Sequence, residues 1–261
     1  MSDPQAAVLI ERLPEHLLLV TLNRPAARNA VNGDVATGLQ AAIDASEADA
    51  DIWAVILTGT GSEAFCAGAD LKAVSSGQGH TLRTERSGFA GFVHAQRSKP
   101  WIAAVNGPAL AGGCEIALAC DLIVAVPQSR FGLPEVKRGL VASAGGLYRL
   151  PRALPRALAL EMILTGEPIS AERALQLGLI NQLAEPALLL AAARTLAGRI
   201  TVNAPVAVRE SLGVARRALD LSDAELQALS AQAQGRVMAS EDFQEGPRAF
   251  IEKRAPRWTG R

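Results

Sequence analysis

The stretch WIAAVNGPALAGGCEIALACDLIVAV, residues 101–126, decides how this chain is organised. Its first five residues are all apolar, which is typical of a buried strand, and a glycine-marked loop follows at residues 106–113. Residues 114–120 predict a short buried helix, and the apolar run at 122–126 predicts another strand. The order strand, glycine loop, helix, strand indicates an α/β fold.

The segments on either side extend this pattern. Upstream, residues 7–13 and 16–23 predict two paired strands, residues 53–58 predict a buried strand, and Asn32 is placed to cap a helix between them. Downstream of Gly146, strand patterns nearly vanish and helical periodicity dominates. The predicted helices there cover residues 158–164, 171–177, 186–199, 205–218 and 223–238. We therefore expect one layered α/β domain with a helical carboxyl-terminal half.

Composition narrows the range of partners. The chain has 261 residues, 49% of them apolar, and 26 basic residues balance 26 acidic ones. Zero net charge gives no electrostatic footprint for nucleic acid or an anionic membrane. The amino terminus carries Asp3 instead of a basic segment, and apolar runs such as residues 17–22 are too short for a signal peptide or a membrane span. We expect a cytoplasmic protein with no nucleic-acid or membrane partner.

Metal, nucleotide and serine-nucleophile sites are disfavoured. The three cysteines are Cys66, Cys114 and Cys120, and the three histidines are His16, His80 and His94. Neither set has metal-ligand spacing, so we expect reduced thiols and no bound metal. Residues 59–64 (GTGSEA) fit the dinucleotide fingerprint, but Gly68 interrupts the helix that should follow and the required downstream acid is missing. No Walker lysine or G-x-S-x-G turn occurs either.

Two small-residue turns and two glutamates suggest a reaction site. The turns at residues 66–70 and 110–113 can present backbone N–H groups, which suit an oxyanion such as a polarised thioester carbonyl. Glu115 and Glu135 each follow a glycine-marked turn, and two carboxylates in one apolar pocket can divide acid and base work. Singly, each turn can be a tight connection and each glutamate a helix-start or surface acid. Together they favour the addition or removal of water.

Six segments, in this order, resemble those of one known family. They are residues 23–30, 65–72, 106–121, 131–135, 144–146 and 245–253. With them the chain resembles the crotonase, or enoyl-CoA hydratase and isomerase, superfamily over essentially its whole length. The resemblance implies an α/β, crotonase-like spiral of ββα units at residues 1–200, which carries the acyl-CoA site. It also implies a helical trimerisation region at residues 201–261, and hence a homotrimer or a dimer of trimers.

The resemblance also implies roles for individual residues. The N–H groups of Ala69 and Gly112 form the oxyanion hole, Glu115 deprotonates the water that adds at the β-carbon, and Glu135 exchanges a proton at the α-carbon. The residues with CoA-binding counterparts are Arg28, Ala67, Asp70, Leu71, Lys72, Phe250 and Lys253. The last two often serve a neighbouring subunit. No cofactor is implied beyond the coenzyme A of the substrate.

The activity that fits best is the hydration of a 2-enoyl-CoA to a 3-hydroxyacyl-CoA, as in fatty-acid β-oxidation. Carnitinyl-CoA dehydratase-like or enoyl-CoA isomerase activity, and a non-catalytic acyl-CoA-binding homologue, are the alternatives. Two departures from the family pattern bear on the substrate: Ala111 replaces a frequent glycine, and residues 142–143 (AS) replace a frequent Pro-Gly. The polar segment 75–86, where acyl length is usually set, is expected to be a mobile loop.

Overall fold

The computed structural model describes residues 5–261 and is built around a central sheet of six strands. The strands are β1 (Val8–Leu13), β2 (Leu17–Leu22), β3 (Ala54–Gly59), β4 (Arg83–Thr84), β5 (Gly88–Phe89), β6 (Trp101–Val105), β7 (Ala109–Leu110), β8 (Leu122–Ala125), β9 (Arg130–Gly132), β10 (Ile169–Ser170) and β11 (Gln182–Leu183). The central sheet has the order β1-β2-β3-β6-β8-β11, in which only β1 and β2 pair antiparallel. Residues 1–4, part of the segment used to argue against a signal peptide, lie outside the described residues.

Helices cover the sheet and dominate the second half of the chain. They are α1 (Gly33–Ala48), α2 (Leu71–Ser75), α3 (Gly112–Ala119), α4 (Gly146–Ala153), α5 (Arg156–Thr165), α6 (Ala171–Gln176), α7 (Leu189–Thr201), α8 (Pro205–Ala215), α9 (Asp223–Met238) and α10 (Glu241–Ile251). None of those within residues 5–261 is both long and apolar enough to cross a membrane. The predicted cap of α1 is confirmed, because Asn32 Oδ1 accepts a hydrogen bond from Val35 N at 3.1 Å.

The parallel strands are apolar along their whole length because both faces of the sheet are covered. Every residue of β3 and of β6 is buried. On one face, Val55 and Leu57 join the large core that also contains residues of α1. On the other face, Ile56 packs in a second core with Ala193 of α7. The alternation places adjacent residues of one strand in different cores, as the two-residue period of a strand requires.

A second, smaller sheet determines where the two glutamates lie. It has the order β10-β9-β7, with β7 parallel to β9 and Ala109 opposite Phe131. Strand β7 leads into α3, which carries Glu115, and β9 leads into the 3-10 helix Pro134–Arg138, which carries Glu135. An isolated bridge between Cys66 and Ala109 adds the first small-residue turn to the same layer. Three segments distant in sequence therefore converge.

Several local expectations need correction. The segment 75–86 is not an irregular loop throughout, because it contains the 3-10 helix Gln78–Leu82 and the start of a short hairpin formed by β4 and β5. Pro186 begins a 3-10 turn, and α7 itself begins only at Leu189. Helices α4 and α10 were not predicted from periodicity, since each contains an internal proline, Pro151 and Pro247 respectively.

Candidate active site

One cavity of about 680 Å³ brings the two predicted glutamates and the two predicted amide turns together. Its lining includes six of the residues singled out from the sequence, namely Ala67, Ala69, Leu71, Gly112, Glu115 and Glu135. Much of the remaining wall is apolar, with contributions from Leu82, Phe89 and Val141. An apolar cavity with a few convergent polar groups is the usual form of a small-molecule site.

The two amide turns lie against each other. Gly68, at φ 93°, is so close to the second turn that a Cβ on it would stand 3.0 Å from Gly112 N. In the first turn, Val31 bonds to the residues on either side of Ala69, accepting from Asp70 N and donating to Gly68 O. Within residues 5–261, the N–H groups of Ala69 and Gly112 donate to no protein acceptor. Two adjacent free donors therefore border the cavity.

The second turn needs small residues for steric reasons. A Cβ on Gly112 would lie 2.5 Å from Cε1 of Phe89, and one on Gly113 would collide with the carbonyl oxygen of Cys66. Ala111 adopts φ 52° and ψ −129°, a conformation that favours glycine, and its Cβ is held against Gly68. A residue in such a region costs of order 1–3 kcal/mol and persists only where the surroundings enforce it. This strain lies directly beside the free amides.

Glu115 lies in the first turn of α3 and is only 3% exposed. Its Oε1 accepts a hydrogen bond from Gly146 N, the first residue of α4, at 2.9 Å. The pKa of Glu115 is raised to about 7, chiefly by burial. The hydrogen bond from Gly146 opposes this rise, and the charge of Glu135 contributes to it. The carboxyl group therefore holds and releases a proton near neutral pH.

Glu135 is half-buried in the 3-10 helix that begins at Pro134. Its Oε2 is buried and has no hydrogen-bond partner in the described part of the chain. Burial raises the pKa of Glu135, while its own backbone amide and the charge of Arg138 lower it. A buried carboxylate oxygen without a donor is costly, so this position favours the protonated acid or a polar ligand.

The segment that the family resemblance assigns to CoA borders the same cavity. Ala67 N donates to Arg28 O at 3.1 Å, which joins the two proposed CoA-contacting loops. Leu71 is 62% exposed although it is apolar, and Lys72 beside it is exposed as well. Such a surface suits a large polar ligand that lies along the segment.

The Asp70 side chain is engaged inside the protein. Its Oδ1 caps α2 by accepting from Lys72 N at 3.0 Å, and its Oδ2 pairs with Arg24 at 2.9 Å. Burial alone would raise the pKa of Asp70, but these hydrogen bonds and the Arg24 charge hold it below its usual value. The carboxylate therefore shapes the segment that carries Leu71 and Lys72.

Phe250 and Lys253 do not reach this cavity within the one chain. Both lie at or just beyond the end of α10, where Phe250 is 87% exposed and Lys253 has φ 54°. Neither residue lines the cavity that holds Glu115. The single chain therefore does not place these two residues at the cavity.

One polar pair at the cavity has no assignment from sequence. His94 lines the cavity, and its Nε2 lies 3.2 Å from Tyr148 Oη. Burial and then the charge of Arg149 lower the pKa of His94. These residues are distant in sequence and share no motif, so no local signal predicts their meeting. In the part of the chain that the structure describes, no group of three or more His, Cys, Asp or Glu side chains is placed to hold a metal ion.

The family assignment follows from comparison with known proteins. The family model described as enoyl-CoA hydratase/isomerase matches residues 12–261. The chain belongs to this family. Among solved structures, an enoyl-CoA hydratase from Mycobacterium tuberculosis H37Rv superposes with a TM-score of 0.94 at 47% identity, covering 98% of this chain and 100% of that one. The enoyl-CoA hydratase/isomerase assignment confirms the crotonase fold, a mixed α/β body followed by helices.

Two curated members of the enoyl-CoA hydratase/isomerase family show the same extent of similarity. A short-chain-enoyl-CoA hydratase from Clostridium acetobutylicum is 40% identical over 90% of this chain and 91% of its own. A carnitinyl-CoA dehydratase from Salmonella arizonae is 39% identical over 94% and 95% respectively. The present chain is thus an enzyme of the enoyl-CoA hydratase/isomerase type, and the cavity around Glu115 is its candidate active site.

Proposed function

We propose that this enzyme reversibly adds water to the double bond of a 2-enoyl-CoA to give a 3-hydroxyacyl-CoA. The observation that carries the proposal is the convergence of two carboxyl groups with raised pKa values and two free backbone amides on one cavity. A single carboxylate, or a turn without donors, does not supply both halves of the reaction. The combination suits an addition that begins at the β-carbon and leaves charge on the thioester oxygen.

The proton balance of the reaction requires one general base and one general acid. Glu115, as carboxylate, takes a proton from water while the water oxygen bonds to the β-carbon, and the electron pair of the double bond moves toward the thioester carbonyl. The Ala69 and Gly112 amides stabilise the negative oxygen that forms. Glu135, as neutral acid, then gives its proton to the α-carbon. One carboxyl group gains a proton and the other loses one, so the pair keeps one proton and one negative charge throughout. Return of that proton from Glu115 to Glu135 restores the form that reacts.

The ligand is held from its CoA end in this proposal. Ala67, Leu71 and Lys72 lie beside the CoA moiety, with Arg28 on the adjoining loop and the Lys72 ammonium facing a phosphate. Asp70 acts through its cap on α2. Phe250 and Lys253 contribute from a neighbouring subunit of a homotrimer or of a dimer of trimers. Their exposure in the single chain, and their distance from its cavity, support that placement.

The test is turnover of a panel of 2-enoyl-CoAs, followed as loss of the conjugated enoyl-thioester absorbance. Glu115→Gln and Glu135→Gln should each lower kcat by about a hundred- to ten-thousandfold, since each removes one proton-transfer group. Glu63→Gln, at an exposed glutamate outside the cavity, is the matched control and should keep wild-type turnover. Loss of absorbance at the wild-type rate in either active-site variant would contradict the assignment.

Dehydration of a polar 3-hydroxyacyl-CoA is a second candidate, supported by the similarity to a carnitinyl-CoA dehydratase. The same two glutamates serve that direction with their proton roles exchanged. Product mass separates the possibilities. Hydration adds one water molecule, about 18 Da, to the acyl-CoA, dehydration removes one, and isomerisation leaves the mass unchanged. A product of unchanged mass would replace the hydratase proposal with an isomerase.

A further inference from the structure

A second cavity, of about 740 Å³, lies behind the active site and is lined by an unusual number of arginines. It is bounded by the end of α3, by α4 and by the facing sides of α8 and α9. Six arginines border it: Arg97, Arg149, Arg152, Arg216, Arg217 and Arg236. Three acidic residues border it as well: Asp121, Glu210 and Asp220. We call this space the basic cavity.

The acids neutralise only half of the arginines. The ion pairs are Arg216 with Asp121 at 2.7 Å, Arg236 with Glu210 at 2.6 Å and Arg152 with Asp220 at 2.7 Å. Arg97, Arg149 and Arg217 have no carboxylate partner within residues 5–261. These three cations are not scattered over an open surface. They share one cavity, so their electrostatic fields add there.

Arg97 is the least compensated of the three. Its Nη2 donates to Ala119 O at 2.5 Å, while its Nε and Nη1 atoms are buried and have no acceptor in the described chain. The guanidinium carbon stands 4.0 Å from the centre of the Phe92 ring, which stabilises a cation but provides no counter-charge. Burial lowers the pKa of Arg97 to about 10, so it remains charged at neutral pH. A buried cation of this kind is stabilised by a bound anion.

The basic cavity adjoins the space in which the acyl group reacts. His94 lines both cavities. Arg149 also connects them, because its Nη1 donates at 3.1 Å to the carbonyl of Ala144 in the active-site wall. The charge of Arg149 acts on the pKa of Glu115 on one side and on that of Arg97 on the other. The CoA-contacting Ala67 and Leu71 border only the active-site cavity.

We propose that the acyl group of the substrate ends in a carboxylate, and that the basic cavity, with Arg97 and Arg217, holds it. This inference rests on the proposed acyl-CoA chemistry and adds the substrate class to it. Guanidinium groups bind carboxylates with charge-assisted hydrogen bonds, whereas a methyl end leaves them uncompensated. A trimethylammonium end, as on a carnitinyl group, is repelled by the same charges. The site thus disfavours the substrate type of the carnitinyl-CoA dehydratase relative.

The first experiment measures binding without turnover. Calorimetry compares saturated acyl-CoAs of matched length whose acyl chains end in a methyl group, a carboxylate or a trimethylammonium group. The carboxylate-ended acyl-CoA should bind about ten- to a hundredfold more tightly than the methyl-ended one. The trimethylammonium ester should bind most weakly. Because saturated esters do not react, this result is independent of whether the protein is a hydratase. Equal affinities for the carboxylate-ended and the methyl-ended acyl-CoA would overturn the proposal.

Variants then locate the effect. Arg97→Met and Arg217→Gln should each reduce the ratio of the affinities for the carboxylate-ended and the methyl-ended acyl-CoA toward one. The affinity for the methyl-ended acyl-CoA itself should stay unchanged. Arg173→Gln, on α6 outside both cavities, is the matched control and should keep the full preference. If Arg97→Met does not fold, Arg217→Gln decides, since Arg217 is exposed and its side chain supports no neighbouring element. A preference that survives in the variants that fold would also refute the site.

A competition experiment then distinguishes a carboxylate on the acyl chain from a free dicarboxylate. A free dicarboxylate such as glutarate should compete with the carboxylate-ended ester but not with the methyl-ended one. If glutarate binds in an Arg97-dependent manner while the esters show no preference, the cavity serves a free anion and the substrate proposal is wrong. For the active enzyme, kcat/KM for 2-enoyl-CoAs should follow the same order as the binding of the saturated esters.

Discussion

Glu115→Gln should make the protein more stable at pH 8 while it removes hydration activity. In the folded protein the pKa of Glu115 is about 7, compared with an ordinary value of 4.5. The difference of about 2.5 pKa units corresponds to about 3.5 kcal/mol at about 1.4 kcal/mol per unit. Because the folded-state pKa is raised, folding favours the protonated acid. Stability is therefore highest below pH 4.5 and falls as the pH rises toward 7, beyond which the loss is complete.

Glutamine removes this pH dependence and keeps an oxygen for the 2.9 Å hydrogen bond from Gly146 N. The stability advantage of the variant, measured by urea unfolding at fixed protein concentration, should grow from about 1 kcal/mol at pH 5 to about 3 kcal/mol at pH 8. Glu63→Gln should show no such trend. An advantage that is equal at both pH values, or a variant that is less stable at pH 8, would refute the assigned protonation behaviour.

Three further results are expected. In Glu135→Gln, the missing charge no longer raises the pKa of Glu115, so a carbon-13 NMR titration of the Glu115 carboxyl should have its midpoint below about 7; an unchanged midpoint would mean that the two groups do not interact. Gly112→Ala places a Cβ 2.5 Å from Cε1 of Phe89 and displaces the amide, so kcat should fall about a hundred- to a thousandfold with the far-ultraviolet spectrum preserved. Ala111→Gly relieves φ 52° and should raise the free energy of unfolding by about 1 kcal/mol; a loss of stability would show that the alanine is not strained.

Local patterns were sufficient to predict much of the fold. The cap by Asn32 and the apolar run of β3 depend on residues close together in sequence, and both are found in the structure. The small sheet that aligns Glu115 with Glu135 was not predictable in this way. Its strands have only two or three residues, too few to show a period, and the pairing partners are about twenty residues or more apart.

The residues of the candidate site were also only partly predictable from local sequence. Glu115 and Gly112 stand in one contiguous motif, so the sequence placed them together. The contact of His94 with Tyr148 joins two segments by tertiary packing alone, and so does the hydrogen bond from Arg97 to Ala119 O. A histidine or an arginine in an unpatterned stretch has no local feature that separates it from a surface residue. Only the folded chain shows that these side chains border the two cavities.

The unfavourable features of the structure are concentrated where the proposed chemistry occurs. Ala111 is strained, Glu115 carries a raised pKa, and Glu135 Oε2 lacks a donor. Each is destabilising in the free protein. A substrate or a transition state can supply a partner to the two carboxyl groups, whereas the backbone strain at Ala111 remains. The buried strands β3 and β6 stabilise the fold independently of these residues. Substitutions that relieve the strain should therefore separate into two kinds: Ala111→Gly, which keeps the amides, and Glu115→Gln, which gains stability only by removing a reacting group.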